Sequence, residues 1–207
     1  MPTNDYKEIA LRTVLVTPSG AFSPGVLSAA AIAAGATLGP VGGLIVSTGH
    51  VAFELPYVFA LSKLMGRLRP IIKRLEKPLS IIVLAFAIFF AWGLLGGSSG
   101  MRKVNVSDAF LAGFVFTASN AYFLLWWATV GLPLIELTEG RLDRFLVMYA
   151  SHAWLDYLWL GLLAGIGNVS TLLGPYKGLF NLALAALLLI FAIDIVLKSF
   201  TGRSLLP

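Results

Sequence analysis

Three observations predict an all-α membrane protein: six transmembrane helices arranged as two inverted three-helix repeats, with helices one and four interrupted. The first is composition. The 207 residues are 58% hydrophobic and 12% charged, whereas a soluble globular domain carries roughly a quarter charged residues. So small a polar complement cannot clothe a water-facing surface, and most of the chain must meet lipid. The second is run length. Six apolar stretches, at about 9–33, 39–64, 78–95, 108–134, 142–166 and 178–198, match the roughly 20 apolar residues with which a helix crosses a bilayer. A membrane β-barrel would instead show strands of about ten residues with alternating polarity. The third is one ordered pattern that occurs in both halves of the chain.

Span one follows "MPTNDYKEIA", whose Asp5 and Glu8 are unlike the positive leader of a cleaved signal peptide. Near its centre stands "FSPGVL" (22–27). Pro24 lacks an N–H and crowds the preceding turn, and Gly25 accepts unusual dihedrals, so the helix is expected to break there. Span two carries "STGHVAFELPYVFAL" (47–61), with His50 and Glu54 four apart. Span three, "IIVLAFAIFFAWGLL", is plain scaffold. Span four holds "TASNAYF" (117–123) near its centre. Span five, "YASHAWLDYLWLGLL" (149–163), repeats the pairing with His152 and Asp156. Span six is again plain apart from Asp194. The division into repeats therefore falls at 1–101 and 102–207. With three spans in each, the halves enter the membrane from opposite sides, the inverted plan common in secondary transporters. Gly35, Gly39, Gly43 and Ser47 form a small-residue stripe, interrupted by Pro40, where span two begins. Such a stripe serves close packing, within a protomer or across a homodimer.

The cations divide by side. Lys7, Arg12, Lys63, Arg67, Arg69, Lys73, Arg74, Lys77, Arg141, Arg144, Lys198 and Arg203 fall on the side shared by both termini, the second-to-third loop and the fourth-to-fifth loop. Only Arg102, Lys103 and Lys177 fall on the other. The positive-inside bias then puts both termini in the cytoplasm of a multi-pass cell-membrane protein. It also accounts for the net charge of +5 without invoking nucleic acid. "KLMGRLRPIIKRLEK" (63–77) reads as a cytoplasmic loop that can touch anionic head groups.

The candidate site is the set of polar residues at mid-depth. His50/Glu54 and His152/Asp156 each share one helix face, and ionisable groups at the membrane centre face the bundle interior and mark pathways or relays. Two such pairs in equivalent places point to function, either proton coupling or divalent-cation binding, because imidazole and carboxylate also suit zinc, manganese or nickel. In span one, Ser23, Pro24 and Gly25 expose backbone N–H groups that can hold a substrate carboxylate at a half-helix N-terminus. In span four, Ser119, Asn120 and Tyr122 offer an amide and hydroxyls, while Trp126 and Trp127 read as packing or interfacial-belt residues. Asp194 and Lys198, four apart, most simply neutralise each other near the interface. The absence of cysteine removes dithiol chemistry and soft-metal thiolate sites. There is no His-Glu-x-x-His, serine–lysine or paired-aspartate signature of an intramembrane hydrolase, so no enzyme and no resident cofactor is expected.

With "FSPG", "SNAYFLLWWATVGL" (119–132) and "SHAWLDYLW" (151–159) in their proper spans, the chain resembles the lysine-exporter (LysE/RhtB, threonine-efflux-like) family of the LysE superfamily. The resemblance implies an inner-membrane exporter of amino acids driven by proton antiport. Its Pro-Gly-Pro element falls on Pro24, Gly25 and Val26, and its Asn-Pro element on Asn120 and Ala121. Each departure replaces a proline, which implies milder helix breaks. Ser23, Pro24, Gly25, Ser119, Asn120 and Tyr122 would then contact substrate, and His50, Glu54, His152 and Asp156 would carry coupling protons. The superfamily also contains metal transporters, which keeps those four residues open as ligands for an exported divalent cation.

Overall fold

The computed structural model describes residues 3–22, 25–95, 104–169 and 176–203. Among these the chain is helical throughout, with no strand. In order the elements are α1 (Thr3–Val16), α2 (Pro18–Ala21), α3 (Val26–Leu38), α4 (Pro40–Leu95), α5 (Val106–Ala118), α6 (Ala121–Trp127), α7 (Leu132–Glu136), α8 (Leu142–Val169) and α9 (Lys177–Thr201).

The helix breaks follow local chemistry. The segments Asp5–Ala21 and Val26–Leu38 meet at 82°, and Gly25 caps α3 in an extended conformation (φ −174°, ψ −173°). Asn120, also extended, caps α6: its side-chain oxygen accepts from the backbone N–H groups of Tyr122 (3.0 Å) and Phe123 (3.3 Å). An Asn cap starts a helix without proline, so the break in this region is complete where the missing proline implied a milder one. A third interruption, at Gly39 (φ +67°), separates α3 from α4; a positive φ suits glycine, which has no Cβ to clash.

Of the expected spans, 39–64 corresponds to the arm Pro40–Leu64, and it is the one described helix long and apolar enough to cross a membrane unaided. The bent pair Asp5–Ala21 with Val26–Leu38 is a second only if taken as one span. The expected span 108–134 is divided among α5, α6 and α7, because the Asn120 cap and Gly131-Leu132-Pro133 each restart the helix. The segment 63–77, expected as a loop, is helical instead. α4 continues through it with a kink at Leu64 (φ −130°, ψ 21°), as its Leu, Met, Arg, Lys and Ile content favours.

Alanines fill part of the interior, among them Ala29, Ala30, Ala33, Ala87, Ala112, Ala185 and Ala192, alongside large buried side chains such as Leu61, Phe116, Trp127 and Met148, while Leu111, Leu158, Leu162, Ile166 and Leu182 face outward. Small residues between membrane helices let backbones approach. The stripe read from the sequence does this within the protomer, although Gly39 splits it between two helices. A Cβ on Gly35 would collide with the Ala164 carbonyl and one on Gly43 with the Leu160 carbonyl, and Ser47 Oγ donates to the Asp156 carbonyl at 3.3 Å. All three acceptors are on α8, spaced one turn apart. The α4–α5 crossing is equally tight, with Gly49 against the Phe110 carbonyl and Gly113 against the Val46 carbonyl.

Because backbone cannot retreat as a side chain can, Gly35→Leu or Gly43→Leu should destabilise the protein by about 3 kcal/mol or more, read as a lower melting temperature in detergent. Gly165→Ala, where an added Cβ meets nothing within 4 Å, should leave melting unchanged.

Candidate functional site

The two His/acid pairs form one cluster. The tight α4–α5 and α4–α8 crossings bring His50 and Glu54 of α4 against His152 and Asp156 of α8, and all four are buried. His50 Nε2 lies 3.4 Å from Glu54 Oε2 and 3.7 Å from Asp156 Oδ2. His152 Nε2 lies 3.2 Å from both Glu54 Oε1 and Asp156 Oδ2. Each histidine therefore meets an acid from the other half of the chain as well as its own. Glu54, with no exposed surface, also accepts from Trp127 Nε1 at 2.9 Å and from the Tyr149 hydroxyl at 3.1 Å.

The histidines are oriented from behind by two threonines. His152 Nδ1 lies 2.9 Å from Thr17 Oγ1, and His50 Nδ1 lies 2.8 Å from Thr117 Oγ1. Each hydroxyl already donates its single proton to the carbonyl one turn back, Thr17 to Thr13 at 2.8 Å and Thr117 to Gly113 at 2.6 Å. A hydroxyl so committed can only accept from imidazole, so both Nδ1 atoms carry hydrogen and both Nε2 atoms face the carboxylates. The arrangement is crosswise: a residue of the broken first region holds the histidine of α8, and a residue of the broken α5–α6 region holds the histidine of α4.

Each Nε2 must share one proton with the carboxylates it faces, on nitrogen or on oxygen, since otherwise lone pair would face lone pair. Two histidines and two acids sharing two such protons are neutral overall. Removing one leaves a net negative charge in a buried site, which is costly unless another cation replaces it. Asp156 Oδ2, buried and close to both rings, makes no aligned hydrogen bond.

The cluster forms part of the wall of a cavity of about 300 Å³, together with Gly25, Thr117, Asn120, Tyr122, Phe123 and Trp126. Gly25, Asn120 and Tyr122, read from sequence as substrate contacts, thus line this cavity. Ser119 does not reach the cavity; its hydroxyl is directed to the Val115 carbonyl of its own helix. Ser23 and Pro24 lie outside the described residues. Asp194 and Lys198, read from sequence as a mutually neutralising interfacial pair, line the same cavity. Trp127 is fully buried against Glu54 instead of standing in an interfacial belt. Sequence reading misses Thr17, Thr117 and Tyr149. The two threonines lie about a hundred positions apart, nearly the spacing of the two histidines, and that shared offset is the signal that identifies them.

Thr17→Val should leave a buried imidazole N–H without an acceptor, at a cost of about 1–3 kcal/mol, whereas Thr17→Ser should recover most of the loss in melting temperature. Nitrogen NMR of the histidines checks the cause: the valine variant should lose the single Nδ1–H form of His152, and the serine variant should keep it.

Compared with known families, residues 18–199 match the model described as LysE type translocator. Comparison with curated proteins and with solved structures gives no match.

Proposed function

The chain belongs to the LysE type translocator family and is on that ground an integral membrane transporter; from that premise we propose that it exports amino acids or related small organic solutes across the cell membrane by proton antiport. The observation that carries this reading is the opening of a buried two-histidine, two-acid cluster onto a cavity lined by both helix breaks, at Gly25 and Asn120. A site lined by aromatic side chains and a few convergent polar groups suits a small organic solute.

The proposed architecture is six spans in two inverted repeats, 1–101 and 102–207, with alternating access around the cluster. Contacts support a common side for the segments assigned to the cytoplasm. Arg144 pairs with Asp5 at 2.7 Å, Lys63 Nζ donates to the Gly140 carbonyl at 3.1 Å, and Ser199 bonds Ser80 at 2.7 Å. The crosswise threonine–histidine bonds support the pseudo-two-fold relation. The excess of cations on that side argues that it is cytoplasmic.

In the proposed cycle, the cluster holds its protons while the site is empty. A cationic group of the substrate approaching Asp156 Oδ2 makes loss of a proton affordable, and substrate and proton exchange places. His50, Glu54, His152 and Asp156 carry the exchange; Gly25, Asn120 and Tyr122 contact the solute, with Ser23 and Pro24 beside them in sequence. Because Thr17 and Thr117 stand just before the helix breaks, a change of charge on either imidazole pulls on a broken helix, linking protonation to the choice of open side.

A second reading, export of a divalent cation, is favoured by one observation: ligand atoms of His50, Glu54 and Asp156 lie within 4.8 Å of one another. Histidines that bind metal through one nitrogen commonly donate the other N–H to a fixed acceptor, as both do here. The cavity of about 300 Å³ is larger than an ion needs, which favours the organic solute.

Proteoliposomes with an imposed pH gradient separate the two. The wild-type protein should drive a panel of amino acids against their gradient and leave manganese, zinc and nickel unmoved. Glu54→Gln should abolish gradient-driven accumulation while retaining amino-acid exchange at equal pH. Gradient-driven movement of metal alone would replace the proposed substrate class with a cation, and unchanged coupling in Glu54→Gln would refute the role of the cluster.

A further inference from the structure

Asp194 and Lys198 stand four apart on α9, and both line the cavity that contains the His/acid cluster. Residues at this spacing lie on one helix face about 5–6 Å apart at Cβ. An opposite-charge pair whose only work was to steady a helix end would gain little from facing a cavity, since exposed pairs of this kind contribute about 0.3–0.5 kcal/mol. Asp194 is half-buried and Lys198 exposed, so the pair presents one negative and one positive group at the edge of the cavity.

Lys198 is placed as more than a helix-end charge. Its Nζ lies 5.6 Å from the centroid of the Tyr122 ring, a cation–π arrangement that holds the ammonium beside a second residue of the cavity lining. Tyr122 itself follows the Asn120 cap, so the contact links α9 to the broken helix. A neighbouring cavity of about 230 Å³ is lined by Leu125, Thr129 and Val130 and shares Tyr122, Trp126, Ile195 and Lys198 with the first. Lys198, in the last turn of α9, and Tyr122 of α6 therefore stand at the boundary between the two spaces.

We propose that Asp194 and Lys198 form a zwitterion-binding station at the mouth of the cavity, Asp194 taking the α-ammonium and Lys198 the α-carboxylate of an amino acid before it reaches the His/acid cluster. The assignment rests on the amino-acid export reading and adds to it a second site and a substrate class defined by two adjacent opposite charges. A small ligand bearing both groups satisfies both side chains at once, so neither charge is left facing an uncompensated partner. A simple amine or carboxylate satisfies only one, and a bare divalent cation is repelled by Lys198.

Calorimetry on the purified full chain in detergent tests this with alanine, ethylamine and propionate, and with leucine, isoamylamine and isocaproate. Loss of one charge-assisted contact should weaken binding by about tenfold or more, so each amino acid should bind at least that much more tightly than its two analogues. Lys198→Gln should reduce alanine affinity to that of ethylamine while leaving ethylamine binding within about twofold, and Asp194→Asn should do the same relative to propionate; these margins follow from each charge acting on its own partner. The selective retention of the one-charge analogue shows that each variant is folded. Alanine affinity unchanged in both variants, with the wild-type protein binding alanine, would overturn the station alone. Failure of the wild-type protein to bind any amino acid would overturn the station and the export reading together.

Discussion

Two imidazoles held with Nδ1–H toward threonine and Nε2 toward carboxylate are the constraint on which the rest of this structure depends. Thr17 and Thr117 each give their proton to a carbonyl one turn back and so can only accept from histidine. That leaves Glu54 and Asp156 facing two ring nitrogens, with protons shared across the contacts. Charge neutrality, not any single bond, makes the buried cluster tolerable. Trp127 and Tyr149 complete the coordination of Glu54 from α6 and α8.

The glycine contacts serve this constraint. His50 reaches Thr117 because Gly49 and Gly113 let the α4 and α5 backbones meet. Asp156 lies beside α4 because Gly43 and Ser47 fit against successive carbonyls of α8, while Gly35 seats α3 against the same helix. The interruptions at Gly25 and Asn120 then leave space next to the cluster where continuous helices would have filled it. Packing and chemistry are thus joined: small residues set the distances, and broken helices set the cavity.

Much of this was legible in the chain. His50, Glu54, His152 and Asp156 are conspicuous because ionisable residues in apolar runs are expensive, and Pro-Gly and Ser-Asn sequences in long spans announce breaks. The family resemblance is matched by the family model over residues 18–199. What was hidden depended on which helices meet. That His152 contacts Glu54 as well as Asp156 is a tertiary fact, invisible to spacing within one helix. Thr17 and Thr117 resemble ordinary helix threonines bonded to their own backbone, and only the histidine behind each gives them another role. Asp194 and Lys198 were read as an interfacial pair because sequence gives their spacing and not the direction in which that face points. The helical continuation of α4 through 63–77 was missed because clustered charge suggested a loop, although the same residues are good helix formers.

In the proposed cycle, substrate and proton compete for one buried, neutral cluster. The most direct measurement is proton release on binding: purified protein in lightly buffered detergent, a pH-indicating dye, and alanine added to saturation. Protons should be released in proportion to alanine bound, and the release should be lost in the Asp156→Asn variant. Alanine binding with no proton release, or release that only a divalent metal provokes, would contradict this competition.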